Sequence, residues 1–264
     1  MKNRYDTKKI AEYIQGKIPV TPEISIILGS GLSEFTSTLS HPVIVPYSEI
    51  VGYPQPSVSG HVGEFIFGFS GNTPVLCARG RFHYYEGHTM ETVTLPLRVF
   101  HDIQCRYVII TNAAGCMNSD WNTGELMVID GHFDFTFRHS SSNPPLQHKL
   151  ACYDSNLLMK AKEAAESQSL LTRMGKYCWT LGPTYETPAE IENMHALGGD
   201  AVGMSTVPEI EEANRLGLKI LGISCLTNYA AGISSKPLTH LEVLETTERV
   251  KSQFADLITG IIVN

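Results

Sequence analysis

The segment Gly80-Arg81-Phe82-His83-Tyr84-Tyr85-Glu86-Gly87 follows an apolar run at residues 75–78, with only Arg79 between them. Within eight positions it brings together a guanidinium, an imidazole, two phenols and a carboxylate. A buried strand that opens into such a cluster delivers it to the carboxyl edge of a sheet, where open α/β folds bind ligands. Arg81 provides a planar fork of donors for an oxyanion, and His83 adds a donor that depends on protonation. A surface turn in which Arg81 pairs with Glu86 is the alternative interpretation.

The composition is that of a globular protein without an obvious polyanionic partner. The chain has 264 residues, of which 42% are hydrophobic and 18% charged, and this length allows one sizeable α/β core. Its net charge of −7 argues against a nucleic-acid or anionic-membrane partner. We also expect neither a membrane span nor a signal peptide. Six cysteines without Cys-x-x-Cys spacing favour buried thiols in a reducing cytoplasm over disulfides or a zinc site.

The second half of the chain alternates strands with capped helices. Capping boxes begin at Thr187, Thr206 and Thr239, each directly before a predicted helix. This βαβ rhythm indicates a mixed, mostly parallel sheet flanked by helices. The predicted strands cover 24–28, 64–69, 73–78, 107–111, 125–129, 177–181, 201–204 and 218–226, and the predicted earlier helices cover 7–16, 90–103 and 155–165.

Other features concern the organisation of the chain. Residues 41–60 are rich in proline, serine and glycine, and we predict a mobile loop there that ends at His61. With no internal repeat, low-complexity tract or linker, residues 1–264 are predicted to form a single domain. The run Gly29-Ser30-Gly31 after the first strand forms either an anion-binding backbone nest or a tight structural turn. It lacks the third glycine of a dinucleotide fingerprint, because Glu34 occupies that position.

Polar side chains follow most of the predicted strands, and the carboxyl ends of parallel strands share one edge. Ser30, Arg81, His83 and Ser205 describe a site for a phosphate-sized anion. Glu186 and Asn228, beside the aromatic Tyr185, describe a site for a flat heterocycle with both donors and acceptors. No Ser-His-Asp, His-Glu-x-x-His, Walker A or paired-carboxylate pattern is present. Together these features suggest that phosphate itself is the nucleophile.

Several segments, in this order, resemble the trimeric purine nucleoside phosphorylase family over residues 24–262, nearly the whole chain. The segments are Leu28-Gly29-Ser30-Gly31-Leu32, Ser59-Gly60-His61, residues 80–87 as quoted above, Thr111-Asn112-Ala113-Ala114-Gly115, Gly182-Pro183-Thr184-Tyr185-Glu186-Thr187, Gly203-Met204-Ser205-Thr206-Val207-Pro208-Glu209 and Leu226-Thr227-Asn228. The resemblance implies a nucleoside phosphorylase fold, a mixed and distorted sheet flanked by helices. It also implies a homotrimer in which an aromatic residue from a neighbour covers the ribose.

The resemblance implies roles for individual residues. Phosphate binding is implied for Ser30, Arg81, His83, the backbone of Ala113 and Ser205, with His61 nearby. Ribose contacts are implied for Tyr85, Met204 and His240, and purine recognition for Tyr185, Glu186 and Asn228. Glu86 is implied to orient the side chains of the phosphate site. His240 would hold the 5′-hydroxyl. Asn228, His83 and Glu86 are the implied catalytic group. Phe133, Phe135, Phe137 and His139 are the candidates for the contact with a neighbouring subunit. Cys116-Met117 replaces the more usual glycine-leucine, a packing change, and Tyr229 replaces a vertebrate lysine, as in the bacterial branch.

The implied activity is reversible phosphorolysis of 6-oxopurine (deoxy)ribonucleosides to the free base and (deoxy)ribose 1-phosphate, without a metal or organic cofactor and in the cytoplasm. Methylthioadenosine phosphorylase or xanthosine phosphorylase, of the same fold, is one alternative. A non-catalytic purine-binding protein that keeps the pocket is another. The preferred purine, the preferred sugar and the physiological direction of the reaction stay open.

Overall fold

The computed structural model describes residues 4–58, 61–148, 152–234 and 239–263, without the side chain of His240. The strands are β1 (Ile24–Ile27), β2 (Ser40–Pro46), β3 (Glu64–Ser70), β4 (Thr73–Arg79), β5 (Tyr107–Cys116), β6 (Leu126–Asp134), β7 (Gln147–His148), β8 (Thr172–Trp179), β9 (Ala201–Gly203) and β10 (Lys219–Tyr229). The α-helices are α1 (Thr7–Gln15), α2 (Met90–Val93), α3 (Leu95–Ile103), α4 (Ser155–Ser167), α5 (Pro188–Ala196), α6 (Val207–Arg215) and α7 (His240–Val263).

One mixed sheet joins the strands, which confirms the predicted fold class. Parallel pairings connect β1 with β4 and β5, β5 with β10, and β8 with β6 and β9. Antiparallel pairings connect β3 with β2 and β4, β6 with β7 and β10, and β5 with β9. Central strand β1 is buried along its whole length and apolar except for Ser25, as expected where helices cover both faces of a sheet.

Part of this sheet closes on itself. Because β10 pairs with both β5 and β6, the pairings run from β5 through β10, β6, β8 and β9 and return to β5. Strands β1, β4, β3 and β2 extend from the outside of β5 as an open sheet. Closure removes strand edges, and it brings β9, which runs antiparallel to β5, against the carboxyl end of β5 at Gly115 and Cys116.

Helices cover the sheet and complete the core. Helix α1 packs on α3, α4 packs on α7, and both α6 and α7 contact β10. Buried aromatic side chains such as Phe65, Phe100 and Phe254 fill the layers between these elements. Of the helices in the described part of the chain, none is long and apolar enough to cross a membrane.

The structure corrects two predictions in the first half of the chain. The segment predicted as a mobile loop contains strand β2 and a short 3-10 turn, Tyr47–Glu49, in its described part. The ring of Tyr47 is buried and its hydroxyl donates to the Gly80 carbonyl, so this segment supports the loop that begins at Gly80. The predicted helix over 90–103 is two helices that meet at Thr94, directly before the first turn of α3 with its proline.

Candidate active site

The registers of three adjacent parallel strands bring the predicted anion site together. Ile27 of β1 lies beside Ala78 of β4 on one side and Ile110 of β5 on the other. Ser30, Arg81 and Ala113 each follow this row by three residues, so they lie at the same level, the first two just beyond their strands and Ala113 still within β5. Residues that are distant in sequence therefore converge at the carboxyl edge, as the strand-end argument expected.

One pocket at this edge contains ten of the predicted site residues. Its lining includes Ser30, Arg81, His83, Tyr85, Ala113, Tyr185, Glu186, Met204, Ser205 and Asn228. The anion-type and heterocycle-type groups thus face a common cavity. His61 and Glu86 lie behind the lining and contact it through hydrogen bonds. The side chain of His240 lies outside the described part of the chain.

Arg81 is held by a carboxylate from a distant helix. Its Nε and Nη2 atoms donate to the two carboxylate oxygens of Glu209 in α6, each at 2.9 Å. Both side chains are almost completely buried, with 2% and 1% of their surface exposed. The alternative interpretation, a surface pair between Arg81 and Glu86, is wrong, because Glu86 bonds to the backbone and side chain of His83 instead.

Glu86 fixes the orientation of His83. Its Oε1 accepts from the His83 backbone N–H at 2.6 Å and lies 3.1 Å from Nδ1 of the same residue. Its Oε2 accepts from the backbone and the hydroxyl of Ser57. Burial raises the pKa of Glu86, but the hydrogen bonds from His83 and Ser57 outweigh it and hold that pKa well below its usual range. The fixed carboxylate leaves Nε2 of His83 for a ligand, and the His83 ring stacks on Tyr85 with centroids 4.8 Å apart.

His61 is a neutral group beside the anion site. Its Nε2 lies 3.3 Å from Oγ of Ser30, and its ring lies 5.4 Å from that of His83. Burial, followed by the neighbouring charges of His83 and Arg81, lowers the pKa of His61 to about 3, although the charge of Glu86 acts in the opposite direction. At neutral pH this imidazole is therefore uncharged, able to donate to or accept from a ligand oxygen.

The turn before α6 is not the capping box that the sequence predicted. Thr206 has a φ of 77° and makes no capping hydrogen bond through its side chain. Its Oγ1 accepts from the amide of Asn112 at 2.9 Å and lies 3.2 Å from Oγ of Ser205. Threonine in the left-handed region is strained, and such strain is typical of sites where function requires a fixed geometry. Oδ1 of buried Asn112 has no partner among the described residues.

The heterocycle side of the pocket is prepared by hydrogen bonds from neighbouring threonines. Thr180 Oγ1 donates to Oε1 of Glu186 at 2.6 Å, which leaves Oε2 for a ligand donor. Thr227 Oγ1 donates to Oδ1 of Asn228 at 2.9 Å, while the Asn228 amide donates to the carbonyl of Tyr229. An amide has two N–H groups and two acceptor lone pairs, so Asn228 retains one of each for a ligand.

Irregularities of the backbone position Asn228 and Glu186. The register of β10 shifts between Leu226 and Asn228, so Asn228 lies opposite Gly115 and its side chain turns into the pocket. The loop that carries Glu186 folds closely over Met204 and Tyr85. A Cβ on Gly182, whose φ is 68°, would lie 2.4 Å from Sδ of Met204, so the loop requires glycine at this point.

Sequence reasoning missed several groups in or behind the pocket. Glu209 was interpreted as a capping residue, and Asn112 and Thr227 received no ligand role although both line the cavity. Val243, from the first turns of α7, also lines the cavity and could not be related to it from the sequence. Within the described ranges, no cluster of three or more histidine, cysteine, aspartate or glutamate side chains is placed to hold a metal ion.

The residues suggested for a contact with a neighbouring subunit differ in exposure. Phe133 and Phe135 are buried at 3% and 4%, whereas Phe137 is 48% exposed, and His139 is exposed as well. Phe133 and Phe135 therefore pack inside this chain. Phe137 and His139 are the two candidates that remain accessible to a second subunit.

Comparison with known proteins gives one consistent result. A model of the phosphorylase superfamily matches residues 23–263. Purine nucleoside phosphorylase 1 of Geobacillus stearothermophilus is 40% identical over 99% of this chain and 98% of its own length. Purine nucleoside phosphorylase of Rattus norvegicus is 35% identical over 91% of this chain and 88% of its own.

Solved structures agree with the sequence comparison. Purine nucleoside phosphorylase of Schistosoma mansoni in complex with inosine superposes with a TM-score of 0.87 at 32% identity, over 97% of this chain and 95% of that one. The fold and the pocket thus define a member of the phosphorylase superfamily. Within that superfamily, the relatives over almost the full length show that the chain belongs to the purine nucleoside phosphorylase family.

Proposed function

We propose that this protein catalyses the reversible phosphorolysis of 6-oxopurine (deoxy)ribonucleosides, such as inosine and guanosine, to the free base and (deoxy)ribose 1-phosphate. The observation that carries this proposal is the single pocket in which Arg81 and His83 share a cavity with Glu186 and Asn228. An oxyanion and a purine held in one cavity are in position to react with each other. Structures of purine nucleoside phosphorylase relatives in complex with inosine and with guanosine support the choice of substrate.

Phosphate is the nucleophile in this mechanism. Arg81, His83, Ser30, the Ala113 backbone and Ser205 hold it, and His61 stands next to it as a neutral donor or acceptor. The glycosidic bond breaks through an oxocarbenium-like transition state, and the bound anion stabilises the positive charge that develops on the sugar. One phosphate oxygen bonds to C1′ as the bond from C1′ to the purine nitrogen breaks.

Two side chains act on the leaving purine. The free N–H of Asn228 donates to the base and stabilises the negative charge that builds up near N7 and O6. The free Oε2 of Glu186 accepts from N1–H of a 6-oxopurine. Adenine lacks that proton and would leave Oε2 without a donor, which costs about 1–3 kcal/mol where bound ligand keeps water away from that oxygen.

In this mechanism the ribose lies between the phosphate and the purine. Tyr85, Met204 and His240 are its proposed contacts, and Tyr185 lies beside the base. Burial, followed by the charge of Glu86, raises the pKa of Tyr85 to about 12, so its phenol stays protonated and serves as a hydrogen-bond donor.

An assay of inosine and guanosine with and without inorganic phosphate tests the proposal. Base release is expected only when phosphate is present, together with one equivalent of ribose 1-phosphate. Base release that is independent of phosphate would indicate hydrolysis. Binding of purine without any turnover would favour a non-catalytic purine-binding protein.

Methylthioadenosine phosphorylase activity is the nearest alternative. We expect an aspartate in the place of Asn228 and a smaller residue in the place of His240 in such an enzyme, so the residues of this chain favour 6-oxopurines. Direct comparison of inosine, xanthosine and methylthioadenosine as substrates separates the three activities.

We further propose that the enzyme acts as a cytoplasmic homotrimer without metal or organic cofactor. The described residues supply donors and acceptors for phosphate, sugar and base, and the proposed reaction transfers no electrons. Exposed Phe137 and His139 are the candidates for a contact that covers the ribose of a neighbouring subunit. Six free cysteines, five of them buried, are compatible with a reducing compartment.

A further inference from the structure

In the buried pair between Arg81 and Glu209, the carboxylate binds one edge of the guanidinium and leaves a second edge available. A guanidinium has five N–H groups in a fixed plane. Glu209 takes one from Nε and one from Nη2, both at 2.9 Å. The remaining edge, formed by Nη1 and the second N–H of Nη2, makes no hydrogen bond within the described residues, and Arg81 lines the pocket. That edge is a second fork, available for an oxyanion.

Glu209 also connects Arg81 to the opposite wall of the anion site. It lies one turn after Ser205 in the chain, and Ser205 is itself part of the pocket lining. The turn directly before α6 therefore carries a hydroxyl of the anion site, and the first turn of α6 carries the carboxylate that fixes its cation. Through Glu209, the loop after β4 and the start of α6 have a defined relative position.

We propose that Glu209 is a positioning residue for phosphate binding, which acts by orienting the free fork of Arg81 toward the anion. This inference rests on the proposed phosphorolysis, since phosphate is the ligand that Arg81 would bind. Two parallel hydrogen bonds to phosphate require the guanidinium plane to be aligned with two oxygens. A buried guanidinium without its partner loses this alignment and turns toward other acceptors.

Glu209 also has an electrostatic effect of opposite sign. Its negative charge lies near the anion site and by itself weakens the attraction of phosphate. If charge were the dominant effect, neutralising Glu209 would tighten phosphate binding. The proposal predicts weaker phosphate binding instead. It requires that the orientation of the two free Arg81 donors contributes more to phosphate affinity than removal of the repulsion from Glu209, in a site where the anion retains other donors.

The principal test is the substitution Glu209→Gln, which keeps the shape of the side chain. The amide oxygen accepts one hydrogen bond from Arg81, but the amide nitrogen faces the second N–H donor, so the guanidinium must rotate. We expect KM for phosphate to rise roughly tenfold to hundredfold, while KM for inosine changes little. Isothermal titration of inorganic phosphate should show the same loss of affinity.

A matched control lies on the same helix. Glu212 is 10% exposed in its side chain and accepts from Arg98 at 2.6 Å and from Arg215 at 2.7 Å, away from the pocket lining. Glu212→Gln breaks a comparable ionic network, and it should lower thermal stability without changing KM for phosphate. The comparison separates loss of positioning from general weakening of α6.

Glu209→Asp covers the case in which the glutamine variant does not fold. It keeps the charge but shortens the side chain by one methylene, so the Arg81 fork must move to follow it. KM for phosphate is again expected to rise relative to KM for inosine. In an Arg81→Ala background, Glu209→Gln should have no further effect on KM for phosphate, because the residue through which it acts is absent.

The outcomes separate this inference from the proposed function. If the unaltered enzyme neither binds nor requires phosphate, the proposed phosphorolysis fails. If the unaltered enzyme uses phosphate and both Glu209 variants keep its KM, or tighten it, the positioning role is wrong and the function stands. Equal increases in KM for phosphate and inosine, matched by Glu212→Gln, would also contradict the positioning role.

Discussion

Side chains of the pocket are prepared for their ligands by a second layer of polar groups. Glu209 fixes two of the donors of Arg81, and Thr180 occupies one oxygen of Glu186. Each partner leaves a definite part of the group free and removes rotational freedom before a ligand arrives. Preorganisation of this kind lowers the entropy cost of binding and of reaching the transition state.

Replacement of Asn228 tests the leaving-group role. Asn228→Ala should lower kcat by roughly 10²–10³-fold and raise KM for inosine much less, because the hydrogen bond strengthens as charge develops on the base. Steady-state kinetics on inosine at saturating phosphate measures both constants. Asn156→Ala, at an exposed position in the first turn of α4, is the control and should leave both constants unchanged. An Asn228→Ala enzyme with full turnover would refute this role.

Replacement of Glu186 tests purine selection. Glu186→Gln offers an amide in place of the carboxylate, so discrimination between inosine and adenosine should fall by a factor of about 10–100, mainly through lower kcat/KM for inosine. The ratio of kcat/KM for the two nucleosides is the measurement. Glu190→Gln changes the capping box of α5, so it should affect stability and leave that ratio intact. An unchanged ratio in Glu186→Gln would show that another group selects the base.

At the scale of single residues, the sequence predicted the groups that line the pocket better than the groups that support them. Asn228 and Glu186 could be identified as polar residues shortly after predicted apolar strands, although Asn228 lies inside β10 itself. Glu209 could not, because a glutamate three residues after a threonine is also typical of a helix cap. Its actual partner, Arg81, is 128 residues away in the chain.

Secondary structure elements position the site through close backbone contacts. The turn after β1 passes over β5 so closely that a Cβ on Gly29 would lie 2.7 Å from Cα of Asn112. Gly29 also donates its N–H to Thr111 Oγ1 at 3.0 Å. Since Ser30 follows immediately, this contact fixes the height of the serine hydroxyl above the sheet.

Replacement of Gly29 tests that contact. Gly29→Ala should reduce the free energy of unfolding by about 1–3 kcal/mol through overpacking, and it should raise KM for phosphate because Ser30 is displaced. Gly16→Ala is the control: a Cβ there would meet only ordinary contacts, at 3.4 Å from the Glu12 carbonyl oxygen. Urea denaturation and phosphate kinetics on both variants give the comparison. Equal stability of the two variants would contradict the close packing of β1 against β5.

Strand β6 carries a buried histidine whose titration should affect stability. His132 is 1% exposed, and its Nδ1 lies 2.9 Å from the hydroxyl of Tyr153. Burial lowers the pKa of His132 to about 4, although the charge of Asp134 acts in the opposite direction. Unfolded histidine titrates near 6.5, so between about pH 6.5 and 4 the unfolded chain binds more protons. The stabilisation is complete above pH 6.5 and is lost as the pH falls toward 4.

A pH series on a His132 variant measures this effect. From pH 6.5 to 4.5 the unaltered protein should lose about 2 kcal/mol of unfolding free energy through His132, and His132→Gln should remove that part of the slope. Denaturant unfolding at half-unit pH steps provides the data. The control is His101→Gln at an exposed position near the end of α3, which should keep the slope of the unaltered protein. Parallel curves for His132→Gln and the unaltered protein would contradict the prediction.

For the whole molecule, the closed ring of five strands explains why two chemically different groups share one pocket. The ring brings β8, β9 and β10 around to the edge at which β1, β4 and β5 end. The anion donors come mainly from the open side of the sheet and the purine-facing groups from the ring. A flat open sheet would have separated them by several strand spacings of about 4.8 Å each.

At the scale of the whole molecule, the homotrimer is a prediction that a measurement of mass can test. A homotrimer should show a mass three times that of the 29.1 kDa chain in sedimentation or light-scattering experiments. If Phe137 of a neighbour covers the ribose, Phe137→Ala should raise KM for inosine several-fold and leave KM for phosphate unchanged. Phe69→Ala, at a partly buried aromatic position on β3, is the control for general effects of losing a ring. Full activity of a monomer would contradict the shared site.

The sequence by itself indicated the apolar segments of most strands and the polar residues near their ends, because apolar runs and glycines are local patterns. It did not locate the strand ends: β5, β6 and β10 continue three to five residues beyond their predicted ends. It also indicated the alternation of strands and helices that produces a mixed α/β sheet. Only the tertiary structure decided that β10 closes a ring with β6 and β5, that β2 replaces a predicted loop, and that Glu209 serves Arg81 rather than a helix cap. These depend on which distant elements come into contact, and the free energy of such contacts is set by packing of the complete core, which no local pattern contains.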